Sequence, residues 1–327
     1  MDIIGHQKIR EFLEKSLAKQ KIAHAYLFAG PEHLGKMTVA LEFVKSLQCQ
    51  TQTAKPCYQC KSCQDIDQAT HPDVSVIKPE IKENEKARQE PEIRIDQIRD
   101  LERRLSLFPA QSPYKIAIIE QTERLTREAA NAFLKTLEEP TGKAVLILIS
   151  SSNFLLPTIV SRCQIIKFLP VSSKEIENYC LKSKAAKEKA EEITRLSNGQ
   201  PGLAVQILKN PEKLTARTEI LNDLSRLIHS SQVQQYQYIE KLIKDISNLR
   251  STLNSWLSWF RDLLLINQGC QNLMVNISQK ENLLKAAQRY QLKQIEEIIK
   301  TIQRTIFLIL KTKVNPKLAL EVLILEL

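Results

Sequence analysis

The chain has 327 residues, of which 43% are hydrophobic, so it is long and apolar enough for two or three folded domains and is not a disordered chain. It carries 47 Lys and Arg against 37 Asp and Glu, and the resulting charge of +10 favours acidic partners, above all nucleic acid. The N-terminus lacks the pattern of a signal peptide, and no run approaches the ~20 apolar residues of a membrane span. We therefore expect a cytoplasmic protein with no membrane partner and with reduced cysteines.

The first 170 residues alternate short apolar runs with helical patterns. Near-continuous β-branched runs that alternate with helices are typical of a parallel sheet covered on both faces. This pattern predicts an α/β domain at 1–170. Its predicted strands are Ala25–Ala29, Val74–Ile77, Lys115–Ile119, Ala144–Ile149 and Gln164–Phe168, and helices are predicted at 6–20, at 36–48, at 95–105 and at 126–138.

The rest of the chain has the pattern of an α-helical protein. The segment Ser172–Glu175 is a capping box, which starts a helix, and Asn198-Gly199 is a helix stop. Residues 171–210 are therefore predicted to form a small helical domain. From 211 to 327 the pattern is almost wholly helical and predicts an all-α domain.

The loop after the first strand reads Gly30-x-x-x-x-Gly35-Lys36-Met37 and leads into a helix. In a working P-loop, backbone N–H groups and the lysine hold phosphates, and a Ser or Thr hydroxyl holds Mg²⁺. Gly30, Gly35 and Lys36 are thus the candidate nucleotide-binding residues. Met37 stands at the hydroxyl position and is a very poor ligand for a hard cation. We expect a degenerate loop that binds ATP weakly or not at all.

The third strand ends in Glu120-Gln121. Active P-loop ATPases of this kind end the strand in Asp-Glu, where the first carboxylate supports Mg²⁺ and the second polarises water. Glu120 can serve the first role, whereas the Gln121 amide cannot accept a proton as a base. Losses at two separate motifs indicate that the chain does not hydrolyse ATP on its own.

Four of the seven cysteines lie within residues 49–63, with the spacing Cys49-x7-Cys57-x2-Cys60-x2-Cys63. Tetrahedral Zn²⁺ binds four thiolates, and Cys-x2-Cys pairs supply them from a compact knuckle. A closed set of four leaves no open position for a substrate. The spacing therefore predicts a structural zinc rather than a catalytic one.

The tripeptide Ser161-Arg162-Cys163 precedes the fifth strand. An arginine on an exposed turn can reach the γ-phosphate held by a neighbouring subunit, and there it stabilises transition-state charge. A single arginine is more often a solvated surface residue. The interpretation of Arg162 as a catalytic residue acting in trans therefore depends on the context of the other motifs.

Taken in order, these motifs resemble those of the delta-prime subunits of the bacterial DNA polymerase III clamp loader, a family of AAA+ proteins. The resemblance is strong in the first domain and weak beyond about residue 210. It is carried by Ile22–Gly30, the cysteine knuckle directly after the P-loop helix, Thr70–Asp73, Ile93–Arg99, Asn131–Pro140, Leu156–Cys163, Leu196–Ala204 and Trp259–Leu264.

The resemblance implies an AAA+ domain with a zinc knuckle, a helical lid and a helical collar that joins a ring of five subunits. The implied partners are gamma/tau and delta subunits, with the sliding clamp and primed DNA reached through the complex during replication. The chain would be the non-catalytic stator of the polymerase III holoenzyme. Arg162 would act on the ATP of the adjacent motor subunit.

Two alternatives remain open from the sequence. An ATP-hydrolysing gamma/tau-like motor subunit shares the knuckle and the Ser-Arg-Cys motif, and it is opposed by Met37, Gln121 and Gly202. The last of these stands where motor subunits carry a nucleotide-sensing arginine. A zinc-dependent DNA-binding protein would use the knuckle and the positive charge, but Tyr58 is the knuckle's one aromatic residue for base stacking.

Overall fold

The computed structural model describes residues 3–51, 55–81, 91–140, 142–151, 155–243, 246–311 and 314–327. The chain forms two compact units. The first comprises Met1–Glu175 with Gly199–Gly202, and the second comprises Ile176–Asn198 with Leu203–Leu327. Most of the predicted helical lid thus groups with the C-terminal helices, and the division into three domains stays a prediction.

The first unit is built on a wholly parallel sheet of five strands. The central position of β4 buries every one of its residues. The parallel α/β architecture and all five predicted strands are confirmed, with differences of one residue at the ends of β4 and β5. The strand order is β2-β3-β4-β1-β5, with β1 at Ala25–Ala29, β2 at Val74–Ile77, β3 at Lys115–Ile119, β4 at Ala144–Ser150 and β5 at Gln164–Lys167.

Helices cover both faces of this sheet. Alternate residues of β1 enter opposite cores: Phe28 packs in the cluster that contains Phe43, and Leu27 packs in the cluster that contains Phe133. This division follows from the two-residue period of a strand. The helices are α1 (Gln7–Ala18), α2 (Lys36–Gln48), α3 (Lys61–Asp67), α4 (Ile95–Ser106), α5 (Arg127–Glu138) and α6 (Pro157–Val160).

The remaining described residues are helical or form turns, as the sequence predicts. Ser172 caps the predicted helix start, since its hydroxyl accepts from the Glu175 N–H at 3.4 Å and donates to Glu175 Oε2 at 2.6 Å. The core of the second unit centres on Trp256, Trp259 and Phe260, which are all buried. No helix in the described parts of the chain is long and apolar enough to cross a membrane. The α-helices from residue 173 onward are α7 (Ser173–Lys182), α8 (Lys187–Ser197), α9 (Pro201–Lys209), α10 (Glu212–Leu227), α11 (Gln232–Ile243), α12 (Ile246–Asn267), α13 (Lys280–Ala287), α14 (Leu292–Lys311) and α15 (Pro316–Leu325).

Candidate functional site

The P-loop connects the carboxyl end of β1 to the amino end of α2. Gly30 has a φ of 152°, and a Cβ at this position would lie 2.3 Å from the carbonyl oxygen of Phe168. Gly35 has a φ of 81° and immediately precedes α2. Glycine tolerates both the positive φ and the close approach, so these two residues give the loop its tight backbone path.

Lys36 is buried and is bound to the loop itself. Its Nζ donates to the carbonyl oxygens of Gly30 at 2.6 Å and Pro31 at 2.5 Å. Burial lowers the pKa of Lys36, although the negative charges of Glu123 and Glu32 partly offset this effect. Two of the three ammonium donors are therefore used by loop carbonyls instead of being free for phosphate oxygens.

Met37 packs into the hydrophobic core between α2 and the sheet. Its side chain is partly buried against the cluster that contains Val39 and Phe43. A hydroxyl at this position of a working P-loop would face the magnesium ion. The methionine instead contributes apolar contact to the core, and it provides no hard oxygen ligand.

The acidic residues after β3 have partners of their own. Glu120 Oε1 lies 3.1 Å from Lys78 Nζ, and Gln121 has a φ of 48° at the start of a short 3-10 turn. Glu123, which the sequence analysis passed over, accepts hydrogen bonds from the Ser151 N–H at 3.1 Å and from the Ser151 hydroxyl. Burial would raise the pKa of Glu123, but these hydrogen bonds more than offset it and hold the pKa below its usual value.

Gly202 lies directly against the P-loop. Its N–H donates to the His33 carbonyl oxygen at 2.7 Å, and a Cβ at Gly202 would lie 2.8 Å from the same oxygen. No larger side chain fits at this position unless the backbone moves. The resemblance places the nucleotide-sensing arginine of motor subunits at this position. An arginine here would need the backbone to move away from the His33 carbonyl oxygen.

The four cysteines of residues 49–63 come together. The sulfur atoms of Cys49, Cys57, Cys60 and Cys63 all lie within 4.8 Å of one another, and the Cys49 and Cys60 sulfurs are 4.0 Å apart. Zn–S bonds of about 2.3 Å in a tetrahedron place sulfurs about 3.8 Å apart. The spacing and the all-thiol donor set therefore fit a structural metal site.

Short-range contacts anchor this cysteine knuckle to α2. The Tyr58 hydroxyl donates to the Glu42 carboxylate, and Lys45 Nζ lies 2.5 Å from Asp67 Oδ1 and 5.4 Å from the Tyr58 ring centroid. Hydrogen bonds from the backbone N–H groups of Gln59 and Cys60 to its sulfur lower the pKa of Cys57 to about 6. The thiolate that a metal requires is thus favoured at Cys57.

Arg162 follows the short helix α6 and is held by three acceptors. Its Nη2 lies 2.5 Å from Glu138 Oε1, and its Nη1 donates to the Thr158 carbonyl at 2.8 Å and to the Ser161 hydroxyl at 3.3 Å. One third of the side chain, 34%, remains exposed. The guanidinium is therefore both positioned and accessible.

The register of the sheet separates Arg162 from the P-loop of its own chain. Strands β1 and β5 are parallel, with Tyr26 opposite Gln164 and Ala29 opposite Lys167. Arg162 lies before Gln164 and so at the amino edge of the sheet, whereas Gly30 lies at the carboxyl edge. The step from Tyr26 to Gly30 alone spans about 13 Å at ~3.3 Å per residue. The structure thus brings Lys36, Glu120 and Glu123 to one edge and places Arg162 at the other.

Comparison with known proteins gives the family. Residues 5–172 match the model of the DNA polymerase III delta subunit, and residues 211–327 match the model of that subunit's C-terminal part. The chain belongs to the DNA polymerase III delta-subunit family. The delta' subunit of Bacillus subtilis (strain 168) is 28% identical over 329 residues, which cover 98% of this chain and 95% of the relative. The delta' subunit of Pseudomonas aeruginosa is 38% identical over 211 residues, which cover 63% of this chain and 62% of the relative.

A solved structure shares the fold of this family member. It is a DNA polymerase III gamma subunit-related protein from Thermotoga maritima, with a TM-score of 0.52 and 21% identity over 99% of this chain and 98% of that one. This likeness confirms the α/β fold with its parallel sheet. Curated tau subunits also match the chain. Family membership alone therefore does not distinguish a non-catalytic stator from an ATP-hydrolysing motor subunit. That distinction depends on the geometry of the site.

Proposed function

We propose that this chain is the non-catalytic stator subunit of a DNA polymerase III clamp loader. In this proposal it joins gamma/tau and delta subunits in a ring that uses ATP to load the sliding clamp on primed DNA during replication. The observation that carries the trans-acting role of Arg162 is its separation from the P-loop across the sheet. An arginine at the far edge serves a nucleotide held by a neighbour rather than one held by its own chain.

The chain's own P-loop supports the non-catalytic assignment. Met37 packs in the core, Lys36 binds loop carbonyls, and Gly202 lies against His33. At Met37 the loop lacks the hydroxyl that would hold magnesium, and at Gln121 the chain lacks the carboxylate that would polarise water. Gly30, Gly35 and Lys36 therefore form a nucleotide-type loop whose occupancy by ATP we propose to be weak or absent.

The C-terminal helices support assembly into a larger complex. Leu318, Val322 and Leu325 of α15 are 59%, 59% and 63% exposed. Their spacing of four and three residues places them on one face of the helix. An apolar helix face of this kind is suited to packing against another subunit, as a collar in a ring requires.

We also propose that the cysteine knuckle holds a structural Zn²⁺ through Cys49, Cys57, Cys60 and Cys63. A bound zinc would fix the chain between α2 and α3 and would supply no catalytic chemistry, because the four thiolates fill its coordination sphere. The proposed site of action is the bacterial cytoplasm, since the relatives are subunits of bacterial replication proteins.

Reconstitution tests the proposed function. We expect a loader assembled from gamma or tau, delta and this chain to hydrolyse ATP and to load the clamp on primed DNA, and we expect both activities to fall when this chain is omitted. The purified chain should hydrolyse no ATP, and Lys36→Ala should leave the activity of the loader unchanged. Hydrolysis by the purified chain that disappears in Lys36→Ala would instead identify the gamma/tau-like motor.

A further inference from the structure

The second unit contains a cavity of about 510 Å³ that the proposed function does not use. It lies where the ends of α10 and α13 approach the middle of α12. Its wall includes Trp259 and the apolar side chains of Ile228 and Ala286. This volume lies in the range of roughly 300–1,000 Å³ that is usual for small-molecule sites.

The charged side chains that line this collar cavity are cationic. Arg226, Lys285, Arg289 and His229 line it, and its described lining residues include no Asp or Glu. Arg226 also lies 3.5 Å from Asp223, but this pair is exposed at the surface and holds the guanidinium only weakly. Arg289 Nη1 lies 3.0 Å from His229 Nε2, so the contact partner of this guanidinium is an imidazole and not a carboxylate.

We propose that the collar cavity binds an organic phosphomonoester. A carboxylate carries one charge and would match only one of the three permanent cations, whereas a phosphomonoester carries about −1.5 to −2 at pH 7 and three strong acceptor oxygens. Arginine forks match phosphate oxygens in bidentate geometry. The apolar wall would contact an organic group attached to the phosphate. Inorganic phosphate has no such group.

One competing explanation uses the same cations. Arg226 lies in the last turn of α10 and Lys285 in the last turn of α13. Cations at these positions offset the partial negative charge of helix C-termini. Under that explanation, removal of the cations lowers the stability of the chain and leaves ligand affinity unchanged. Binding measurements therefore distinguish this explanation from the proposed site.

The test is calorimetric titration of the purified full-length chain with 5′-AMP. Adenosine and inorganic phosphate, which are the two halves of AMP, are titrated separately as controls. We expect saturable binding of AMP, with adenosine and inorganic phosphate each at least about 10-fold weaker, because each lacks one half of the contacts. The double variant Lys285→Gln/Arg289→Gln should lose at least about 10-fold in AMP affinity through the loss of two charge-assisted contacts.

Matched variants exclude other causes. Lys300→Gln/Arg304→Gln removes the same number of charges from α14, outside the cavity, and should keep AMP affinity within about 2-fold, since distant exposed charges are screened. Lys36→Ala should also keep it, which excludes the P-loop. Circular dichroism shows whether each variant is folded, and AMP should change tryptophan emission because Trp259 forms part of the wall.

A short oligodeoxynucleotide with and without a 5′-phosphate identifies the source of the phosphomonoester. Tighter binding of the phosphorylated strand than of AMP would indicate a strand end, and the reverse would indicate a free nucleotide. Absence of saturable AMP binding, equal binding of adenosine, or full affinity in a folded Lys285→Gln/Arg289→Gln variant would overturn the proposal. None of these results bears on Arg162, so the proposed function stands or falls separately.

Discussion

Arg162 and Glu138 form an ion pair at the amino edge of the sheet, with Nη2 and Oε1 2.5 Å apart. Glu138 ends α5 and Arg162 follows α6, so the pair joins two helices on the face that carries the exposed guanidinium. The carboxylate is itself 49% exposed. Its hold on Arg162 is therefore weak enough to be exchanged for a stronger anion such as a phosphate.

Glu138→Gln tests this exchange. An exposed pair contributes about 0–1 kcal/mol, so we expect the free energy of unfolding to fall by no more than that. The ATPase of a reconstituted loader should stay within about 2-fold of the unmodified loader, because the partner that matters to Arg162 in the working complex is the phosphate. A large loss of ATPase with an unchanged fold would show that Glu138 positions the arginine instead of merely pairing with it.

The two P-loop glycines should differ in their response to alanine. Both have positive φ, which costs roughly 1–2 kcal/mol for a non-glycine residue. At Gly35 a Cβ has no atom within 4 Å, whereas at Gly30 it would stand 2.3 Å from the Phe168 carbonyl oxygen. We expect Gly30→Ala to cost about 1–3 kcal/mol more than Gly35→Ala in denaturant unfolding. Equal losses would contradict the close packing of Phe168 against the loop.

Asp73 should make the stability of the first unit depend on pH. Its buried carboxylate accepts N–H groups of Ala110 and Gln111, both at 2.8 Å, and lies 2.9 Å from Lys115 Nζ. Burial would raise the pKa of Asp73, but these hydrogen bonds and the charge of Lys115 more than offset that effect. They hold the pKa below its ordinary value of 3.8. The folded state therefore binds this proton more weakly than the unfolded state. The stabilisation is fully present above the unfolded pKa and is lost as the pH falls through the folded one.

The matching substitution is Asp73→Asn. Removing one partner of a buried ion pair costs about 3–5 kcal/mol, and we expect a loss of that size at neutral pH, measured by urea unfolding. Asp100→Asn is the control, because Asp100 pairs with Arg103 at the surface and should change stability by less than about 0.5 kcal/mol. The difference between the two variants should shrink as the pH falls below about 3.8, and a constant difference would count against the account.

The cysteine knuckle gives a metal prediction. The purified chain should contain one zinc per molecule, and Cys57→Ser should lose it and lower the Tm by about 5 °C or more, because the metal stabilises only the folded knuckle. Cys270→Ser is the control, since Cys270 belongs to the second unit and is not one of the four clustered cysteines. Metal content by mass spectrometry and thermal unfolding check both variants. Full zinc content in Cys57→Ser would remove Cys57 from the ligand set.

The sequence was sufficient to find the five strands and the cysteine cluster. The strands are short apolar runs with clear boundaries, and the cysteines lie close together in the chain. Helix α3 escaped prediction because its seven residues contain few apolar positions and lie within the cysteine segment. Short helices of this kind carry almost no periodic signal.

Contacts between distant segments could not be read from the sequence. The Gly202–His33 and Arg162–Glu138 contacts join residues far apart in the chain, and they depend on how elements pack. The opposite placement of Arg162 and the P-loop also required the order and register of the strands. The residue types at Met37 and Gln121 indicated a degenerate site, whereas the self-contained bonding of Lys36 became visible only in the structure.

The most direct test of the proposed trans-acting role is the ATPase of a reconstituted loader that carries Arg162→Ala in this chain alone. Arg103→Ala is the control, an exposed arginine of the same unit that also pairs with a carboxylate. An arginine finger is worth roughly 10³–10⁵ in kcat at its own site, so DNA-stimulated ATP hydrolysis and clamp loading should fall well below those of the Arg103→Ala loader, while ring assembly and the fold of the chain stay intact. Unchanged ATPase and clamp loading with Arg162→Ala would contradict the account.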